Sequence, residues 1–230
     1  MDASVEYTSG PLETSDQGLE SDHRHSGGAA LDSSGYVDRP NIEFYRAHPD
    51  DYIPPLGRSY DIPRFDDPEV LVRRINPDYG DRSGTSNVNC ADCARSFVRT
   101  WNGHAEEAAG RAVDLVPGEG LVTRGEPSEL TEEWAGRRFT PLDAPRQLAE
   151  ALRAGGHGSV AIVHSDFTTT DGRGGGHAYN VVNHEGSLKV VDAQTQLVAP
   201  WSDHSPHPAL VGTEQRHVAM AWAPDGRPLW

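Results

Sequence analysis

Two apolar runs in the last third of the chain constrain the fold more than any other feature. The first is HAYNVVN at residues 177–183, the second is SLKVVDAQ at residues 187–194, and a short link around Glu185 joins them. Two such runs joined by a glycine-containing link are typical of a β-hairpin. SVAIVH at 159–164 and HVAMAWA at 217–223 have the composition of two more strands. We therefore predict an antiparallel sheet in this part of the chain.

Both cysteines of the chain lie in the stretch NVNCADCARSFVRTW at residues 87–101. A turn-rich segment precedes it, and Phe97, Val98 and Trp101 follow at i, i+1 and i+4, which fits one apolar face of a helix. This places Cys90 in the first turn of the predicted helix. Unpaired N–H groups and the positive end of the helix dipole favour a thiolate at that place.

Two further helices are expected before the sheet. One begins after Asp67 and ends before Pro77. Its apolar stripe consists of Val70, Leu71 and Ile75. The other is APRQLAEALRAGG at residues 144–156, with Asp143 as its predicted N-cap. A helical half followed by an antiparallel sheet makes the predicted fold class α+β.

The segment between these helices gives a weaker signal. Residues 103–142 are rich in glycine, proline and charge, and we predict no firm element there. Trp134 and Phe139 are the expected anchors of this segment in the core.

Composition divides the chain into three parts. Residues 1–40 carry eight acidic and two basic residues, which is typical of a disordered acidic tail. Residues 41–65 mix aromatic residues with prolines, so we expect an extended segment that packs on or near the folded body. That segment acts either as a simple lid or as a block over the active site. Residues 66–230 are the expected folded domain.

The charge of the chain excludes two classes of partner. The formal net charge is −15, whereas nucleic acid and anionic membrane surfaces attract basic proteins. No apolar run approaches the ~20 residues that span a bilayer. The N-terminal MDASVEYTSG lacks the basic and apolar regions of a classical signal peptide.

The hairpin predicts which polar side chains lie together. A short turn around Glu185 sets residues 177–179 opposite residues 192–194, within a residue or two. Even offsets then keep His177, Asp192 and Gln194 on related faces. Register alone leaves Asp192 and Gln194 open as the group that orients His177. We favour Asp192, because a carboxylate supports an imidazolium better than an amide dipole does.

These residues complete a thiol site. A carboxylate orients an imidazole and stabilises its charged form, and an imidazolium beside a helix-terminal thiol gives an activated thiolate. The order Cys90, His177, Asp192 follows the logic of a papain-like site. The glycine-rich run 166–176 ends directly before His177. We expect a mobile or tightly turning loop whose glycines let backbone or substrate approach closely.

The CxxC spacing has competing interpretations. A zinc site needs two more ligands at recognisable spacing, and neither His104 nor His164 with His177 supplies a convincing pair. A thioredoxin-like redox site needs a strand directly before the motif, where this chain has a polar loop. We therefore expect no metal and no cofactor, and we interpret Cys93 as a packing residue. A Cys90–Cys93 disulfide that silences the nucleophile remains a hypothesis.

Four motifs carry a resemblance to a known family. They are INPDYG at 75–80, NCADC at 89–93, GGHAYNVVN at 175–183 and VDAQT at 191–195. In order and spacing they resemble the papain-fold toxin domains of the protein-glutamine deamidase type, found at the C-termini of bacterial polymorphic toxins. The resemblance covers roughly residues 68–225.

The resemblance implies a papain-like fold and a mechanism. Cys90 is the implied nucleophile, His177 the general base and acid, and Asp192 the orienting residue. The reaction is hydrolysis of a glutamine side-chain amide in a target protein, with the backbone N–H of Cys90 binding the oxyanion. The candidates for an assisting side-chain donor are Asn89, Asn87 and Gln194. Residues 103–142 are expected to shape the substrate surface.

Two other functions stay open. One is a papain-like cysteine peptidase or transglutaminase with the same triad, and the other is a non-catalytic papain-like module used for assembly. For the deamidase, the expected partners are a target protein with a reactive glutamine and a cognate immunity or inhibitor protein. We expect such a chain to be secreted or delivered into a target cell as part of a longer toxin.

Overall fold

The structure of the protein is a computed structural model. It describes residues 40–55, 57, 60–80, 84–118, 120–168, 172, 174–203, 207–210 and 214–230. Of the predicted acidic tail 1–40, all but Pro40 lies outside the described residues.

Helices and strands mix in the way the sequence predicts, and the α+β class is confirmed. The described α-helices are α1 (Asn41–Ala47), α2 (Pro68–Leu71), α3 (Cys90–Trp101), α4 (Ser128–Ala135) and α5 (Pro145–Gly155). Short 3-10 turns cover Val72–Arg74, Thr85–Asn87 and Pro208–Leu210. In the part of the chain that the structure describes, no helix has the length and apolar character needed to cross a bilayer.

The strands build one large sheet and three small ones. They are β1 (Tyr52–Ile53), β2 (Tyr60–Asp61), β3 (His104–Ala105), β4 (Gly110–Arg111), β5 (Val113–Val116), β6 (Gly120–Thr123), β7 (Thr140–Leu142), β8 (Val160–Thr168), β9 (Gly174–His184), β10 (Ser187–Asp192), β11 (Leu197–Pro200) and β12 (Glu214–Trp222). The large sheet has the order β11-β10-β9-β8-β12-β7, and all its neighbours are antiparallel. The small sheets are β1 with β4, β2 with β3, and β5 with β6.

The predicted hairpin is β9–β10, and its link consists of Glu185 and Gly186. Both link residues have positive φ, 52° and 84°, as a two-residue type I′ turn requires. Because the register runs from His184 opposite Ser187 to Asn180 opposite Val191, the far ends of both strands meet. The loop predicted for 166–176 is partly wrong, since β8 continues to Thr168 and β9 already begins at Gly174.

The large sheet is buried on both faces, which makes a three-layer arrangement. Alternation along β8 explains it, since Val160 and Ile162 pack in the cluster that contains α3, while Ala161 and Val163 pack against α5. The helix α3 lies against β9, β8 and β10 at the centre of the molecule. Its apolar face is as predicted, because Phe97, Val98 and Trp101 are fully buried.

Residues 41–65 differ from the extended segment expected of them. Residues 41–47 form α1, and Phe44, Tyr45 and Tyr52 are at most 2% exposed in the same cluster as α3. The prolines that suggested an extended chain lie after this helix, and within residues 41–47 none interrupts it. Three aromatic residues in the described part of this segment thus pack into the hydrophobic core.

Two smaller expectations about helices need correction. Asp143 is not the cap of α5, because Ala144 is the N-cap residue. Gln147 reaches back instead, and its Oε1 accepts from the backbone N–H groups of Asp143 and Ala144. Val70 was expected in the buried stripe of α2, but it is 47% exposed, because that helix ends within one turn at Leu71.

Residues 103–142 contain more structure than the sequence indicated. They hold β3 to β7 and α4, all short, which is why no periodic pattern was visible. Trp134 is buried and Phe139 packs against the core, as expected of the two anchors.

Candidate active site

Cys90 is the first residue of α3, as the sequence predicts. Asn89 precedes it as the N-cap residue, and the thiol is half-buried and free. The first N–H groups of a helix lack intrahelical acceptors and carry the positive end of its dipole. The sulfur therefore sits where a negative charge is favoured.

His177 links Cys90 to Asp192. Its Nε2 lies 3.0 Å from Asp192 Oδ2, and a further hydrogen bond joins the ring to Cys90. Because Asp192 occupies Nε2, Nδ1 is the ring nitrogen left for the thiol. Burial alone would lower the pKa of His177, but its hydrogen bonds to Asp192 and Cys90 and their charges raise it to about 10. The imidazolium is thus the stable form at neutral pH.

Several neighbouring groups keep the Asp192 side chain ionised. Burial alone would raise its pKa, but hydrogen bonds from His177, His207 and Thr195 hold it well below its usual range. Thr195 Oγ1 donates to Oδ2 at 2.8 Å, and the backbone N–H of Gln194 donates to Oδ1 at 3.0 Å. The other predicted candidate for orienting His177, Gln194, thus uses its backbone to fix Asp192.

The three candidate oxyanion donors have different outcomes. Both N–H bonds of the Asn89 amide are used, toward Asn76 Oδ1 at 3.2 Å and the Ala109 carbonyl at 2.9 Å. Asn89 is 1% exposed and fixes the chain before α3, so the expectation of an oxyanion donor there is wrong. The side chain of Asn87 accepts from the Gly80 N–H at 2.7 Å. A role for Gln194 stays a prediction.

Cys93 lies one turn after Cys90 and is buried more deeply. It is 1% exposed in the core cluster, and burial raises the pKa of its thiol well above the usual value. Both cysteines are free thiols in the structure. Cys93 is a packing residue.

A cavity of about 120 Å³ lies beside Cys90. Its lining joins the start of α3 to the segment from Glu126 to Phe139 and to His164 and Gly176 of the large sheet. This volume is several times what one water needs, so a small polar group fits. The weakly predicted segment 103–142 therefore forms one wall beside the thiol.

The comparisons with known proteins fit this geometry. Residues 88–196 match a family model described as papain fold toxin 1, glutamine deamidase. This match confirms the predicted resemblance of the segment to papain-fold toxin domains of the glutamine deamidase type. A variant of the Salmonella effector SpvD is a similar solved structure, with 13% identity and a TM-score of 0.47, and the match covers 81% of this chain and 94% of that one. The search of curated proteins finds no match.

Two of the glycines before His177 lie against side chains of the neighbouring strand. A Cβ on Gly176 would lie 3.0 Å from His164 Nε2, and one on Gly175 would lie 2.8 Å from the Phe167 ring. The space above these two glycines is thus taken by side chains of the neighbouring strand β8. Gly176 makes room for His164 at the cavity wall, and Gly175 makes room for Phe167.

A buried charge network supports the cavity wall. Arg95 is fully buried and donates to Asp92 Oδ1 at 2.7 Å and to Glu126 Oε2 at 2.8 Å. Tyr52 donates to the same Glu126 oxygen at 2.6 Å. Burial would raise the pKa of Glu126, but Arg95 holds it below its usual range, whereas burial raises the pKa of Asp92 to about 7. Glu126 therefore carries the negative charge that pairs with Arg95.

Sequence reasoning missed three polar residues of this region. His164 and Glu126 line the cavity, and His207 contacts Asp192. His164 is the last residue of the predicted strand 159–164, so the alternation of that strand was a usable signal for it. The other two come from irregular segments distant in sequence, for which the chain offers no local pattern.

Proposed function

We propose that the toxin domain is a protein-glutamine deamidase that uses Cys90, His177 and Asp192 in thiol catalysis. One observation carries the proposal: His177 bonds Asp192 through Nε2 and Cys90 on its other side, at a helix start beside a small cavity. The match of residues 88–196 to glutamine deamidase toxins supports the substrate class.

The first half of the reaction forms a thioester. The Cys90 thiolate attacks the side-chain carboxamide carbon of the target glutamine, and the carbonyl oxygen becomes an oxyanion. The backbone N–H of Cys90, at the start of α3, is the proposed donor to that oxygen. The His177 imidazolium then gives its proton to the leaving nitrogen. Ammonia departs, and the acyl group stays on sulfur.

The second half releases glutamate. Neutral His177 takes a proton from a water molecule, and the resulting hydroxide attacks the thioester carbon. The C–S bond breaks, the thiolate returns, and His177 is again protonated beside it. Asp192 stays ionised throughout and keeps the ring aligned, as a buried carboxylate with four hydrogen-bond donors can.

The cavity offers polar groups for an amide. Ser128 brings a hydroxyl from α4, and His164 brings an imidazole from β8. Burial lowers the pKa of His164, so its ring is neutral and provides one donor and one acceptor. A primary amide needs both kinds of partner.

Two other functions share this geometry. A peptidase or a transglutaminase would use the same triad, but would cut the target or join it to an amine. A non-catalytic module would need no activated thiolate. If iodoacetamide labels Cys90 no faster than free cysteine at neutral pH, the module is favoured.

The proposed partners follow from the toxin assignment. They are a target protein with an accessible glutamine and a cognate inhibitor protein that protects the producing cell. Delivery into a target cell, as part of a longer secreted toxin, is the matching proposal for where the domain acts.

Mass spectrometry of a treated proteome tests the reaction. A host lysate is incubated with wild type, Cys90→Ala or Cys93→Ala in heavy-oxygen water, and released ammonia is measured. We expect wild type and Cys93→Ala to convert a glutamine to glutamate with one heavy oxygen, and Cys90→Ala to be inactive. Cleaved or amine-linked targets without such a glutamate would contradict the deamidase.

A further inference from the structure

His207 is a buried histidine to which the reaction above gives no role. It is 1% exposed, and its ring packs against His177 and Tyr179 at centroid distances of 5.0 and 4.8 Å. Its Nε2 lies 3.2 Å from Asp192 Oδ2, the same oxygen that His177 contacts. His207 therefore touches both the base and the carboxylate of the site.

The second ring nitrogen of His207 fixes its tautomer. The backbone N–H of Ala209 donates to His207 Nδ1 at 3.2 Å. A neutral imidazole has one N–H and one lone pair, so a ring that accepts at Nδ1 carries its proton on Nε2. The proton of His207 is thus on the nitrogen that lies 3.2 Å from Asp192 Oδ2.

This tautomer distinguishes between two roles for His177, Asp192 and His207, a metal site or a hydrogen-bonded group. One atom each from His177, Asp192 and His207 lies within 4.8 Å of the others, close enough to surround a metal ion. A metal-binding histidine gives its lone pair to the ion and donates its other N–H to an acceptor. His207 Nδ1 faces a donor instead, which favours a hydrogen bond to Asp192 over a metal.

We propose that His207 is a positioning residue of the catalytic site, which holds the Asp192 carboxylate in line with His177. Oδ1 of Asp192 is fixed by the N–H groups of Gln194 and Thr195 at 3.0 and 3.3 Å. On the other carboxylate oxygen, His207 Nε2 lies 3.2 Å from the same Oδ2 that His177 contacts, and the two histidine rings pack against each other. This assignment rests on the proposed function, because it adds a fourth side chain to the same triad.

Alkylation of Cys90 by iodoacetamide tests the role without a substrate. At pH 6 the thiolate depends on the His177 imidazolium, whereas at pH 9 an ordinary thiol is also ionised. His207→Phe keeps a ring but loses the donor, and we expect the pH 6 rate to fall about 10-fold, equivalent to one pKa step, and the pH 9 rate by less than about 2-fold. The titratable groups around His177 are Cys90, His164, Tyr179, Asp192 and His207.

A rescue variant separates positioning from packing. His207→Gln places an amide N–H near the position of Nε2, and we expect it to recover the pH 6 rate to within about 3-fold of wild type. His217→Phe is the matched control, since His217 is another buried histidine, 8% exposed, bonded to Ser165 rather than Asp192. Thermal unfolding of each variant is measured first, and His207→Met replaces His207→Phe should the latter not fold.

Four results would overturn the proposal. They are an unchanged pH 6 rate in the variant without a donor, an equal loss in the His217 control, a folded His207→Gln without recovery, and Zn²⁺ that slows alkylation of wild type but not of His207→Phe. The last would make His207 a metal ligand. A normal alkylation pattern in a protein that deamidates no target would leave this inference intact and reject the proposed function.

Discussion

At the scale of single residues, His177 determines the charge state of the site. An ordinary histidine is largely neutral at pH 7, but His177 is buried between a carboxylate and a thiol that both favour its charged form. In the proposed reaction, the imidazolium that this raised pKa favours provides the proton that a departing ammonia needs. The partners of His177 therefore matter as much to the reaction as the nucleophile itself.

The pKa of His177 makes stability depend on pH. A histidine whose pKa rises from about 6.5 in the unfolded chain to about 10 contributes stability that is complete below pH 6.5 and is lost as pH rises toward 10. We expect His177→Gln to cost about 3 kcal/mol at pH 6 and much less at pH 9.5. Urea unfolding of both proteins at the two pH values measures this. A difference that grows with pH would contradict the assignment.

Gly176 sets the position of His164 at the cavity wall. An added Cβ would lie 3.0 Å from His164 Nε2, so Gly176→Ala must displace that ring toward the cavity. We expect deamidation to fall about 10-fold with little change in melting temperature. Gly174→Ala is the control on the same strand, where the nearest atom is 3.4 Å away. Equal activity of both variants would show that the position of His164 at the cavity wall does not affect the reaction.

At the scale of elements, α3 joins the chemistry to the core. Its first residue is the proposed nucleophile, its apolar positions fill the central cluster, and Arg95 anchors the segment before α4 through Glu126. A fully buried arginine is tolerated only when its charge is paired. The helix thus fixes Cys90 and one cavity wall together.

Glu126→Gln tests this anchor. The side chain is 1% exposed, and its loss of charge leaves Arg95 with Asp92, whose pKa burial raises to about 7. We expect a loss of about 3–5 kcal/mol in the free energy of unfolding. Glu129→Gln, at an exposed position of α4, should stay within about 0.5 kcal/mol of wild type. Chemical denaturation of the two variants gives the comparison, and equal values would show that the pairing contributes nothing.

At the scale of the whole molecule, the folded unit extends further toward the N-terminus than composition indicates. Phe44, Tyr45 and Tyr52 fill the cluster that holds α3, although they precede the predicted domain boundary at residue 66. Each buried aromatic side chain contributes about 1.5–3 kcal/mol, against a total stability of about 5–15 kcal/mol. The described part of residues 40–65 therefore packs into the same hydrophobic core.

Truncation tests that boundary. We expect a chain that begins at Pro40 to unfold cooperatively, and a chain that begins at Asp66 to lose cooperative unfolding, because three buried aromatic residues are absent. Circular dichroism during heating compares the two. If the shorter chain has the same melting temperature, the folded domain begins at residue 66, as composition predicted.

The sequence predicts the three candidate catalytic residues better than it predicts the residues around them. Cys90, His177 and Asp192 follow from local patterns, since a helix start and a two-residue hairpin link fix their places within a residue. His207 and Glu126 could not be predicted in this way, because irregular segments bring them in from distant positions. The helix α1 was missed because the prolines after it dominated the composition of residues 41–65.

Expression in a host cell tests the central claim most directly. Wild type, Cys90→Ala and Cys93→Ala are expressed in parallel, toxicity is scored, and the proteome is searched for glutamines that gain about one dalton. Cys93 lies on the same helix and is buried, so it controls for the loss of a thiol. We predict toxicity and a glutamine-to-glutamate conversion with wild type and Cys93→Ala, and neither with Cys90→Ala. Equal toxicity and equal conversion with Cys90→Ala would contradict the account.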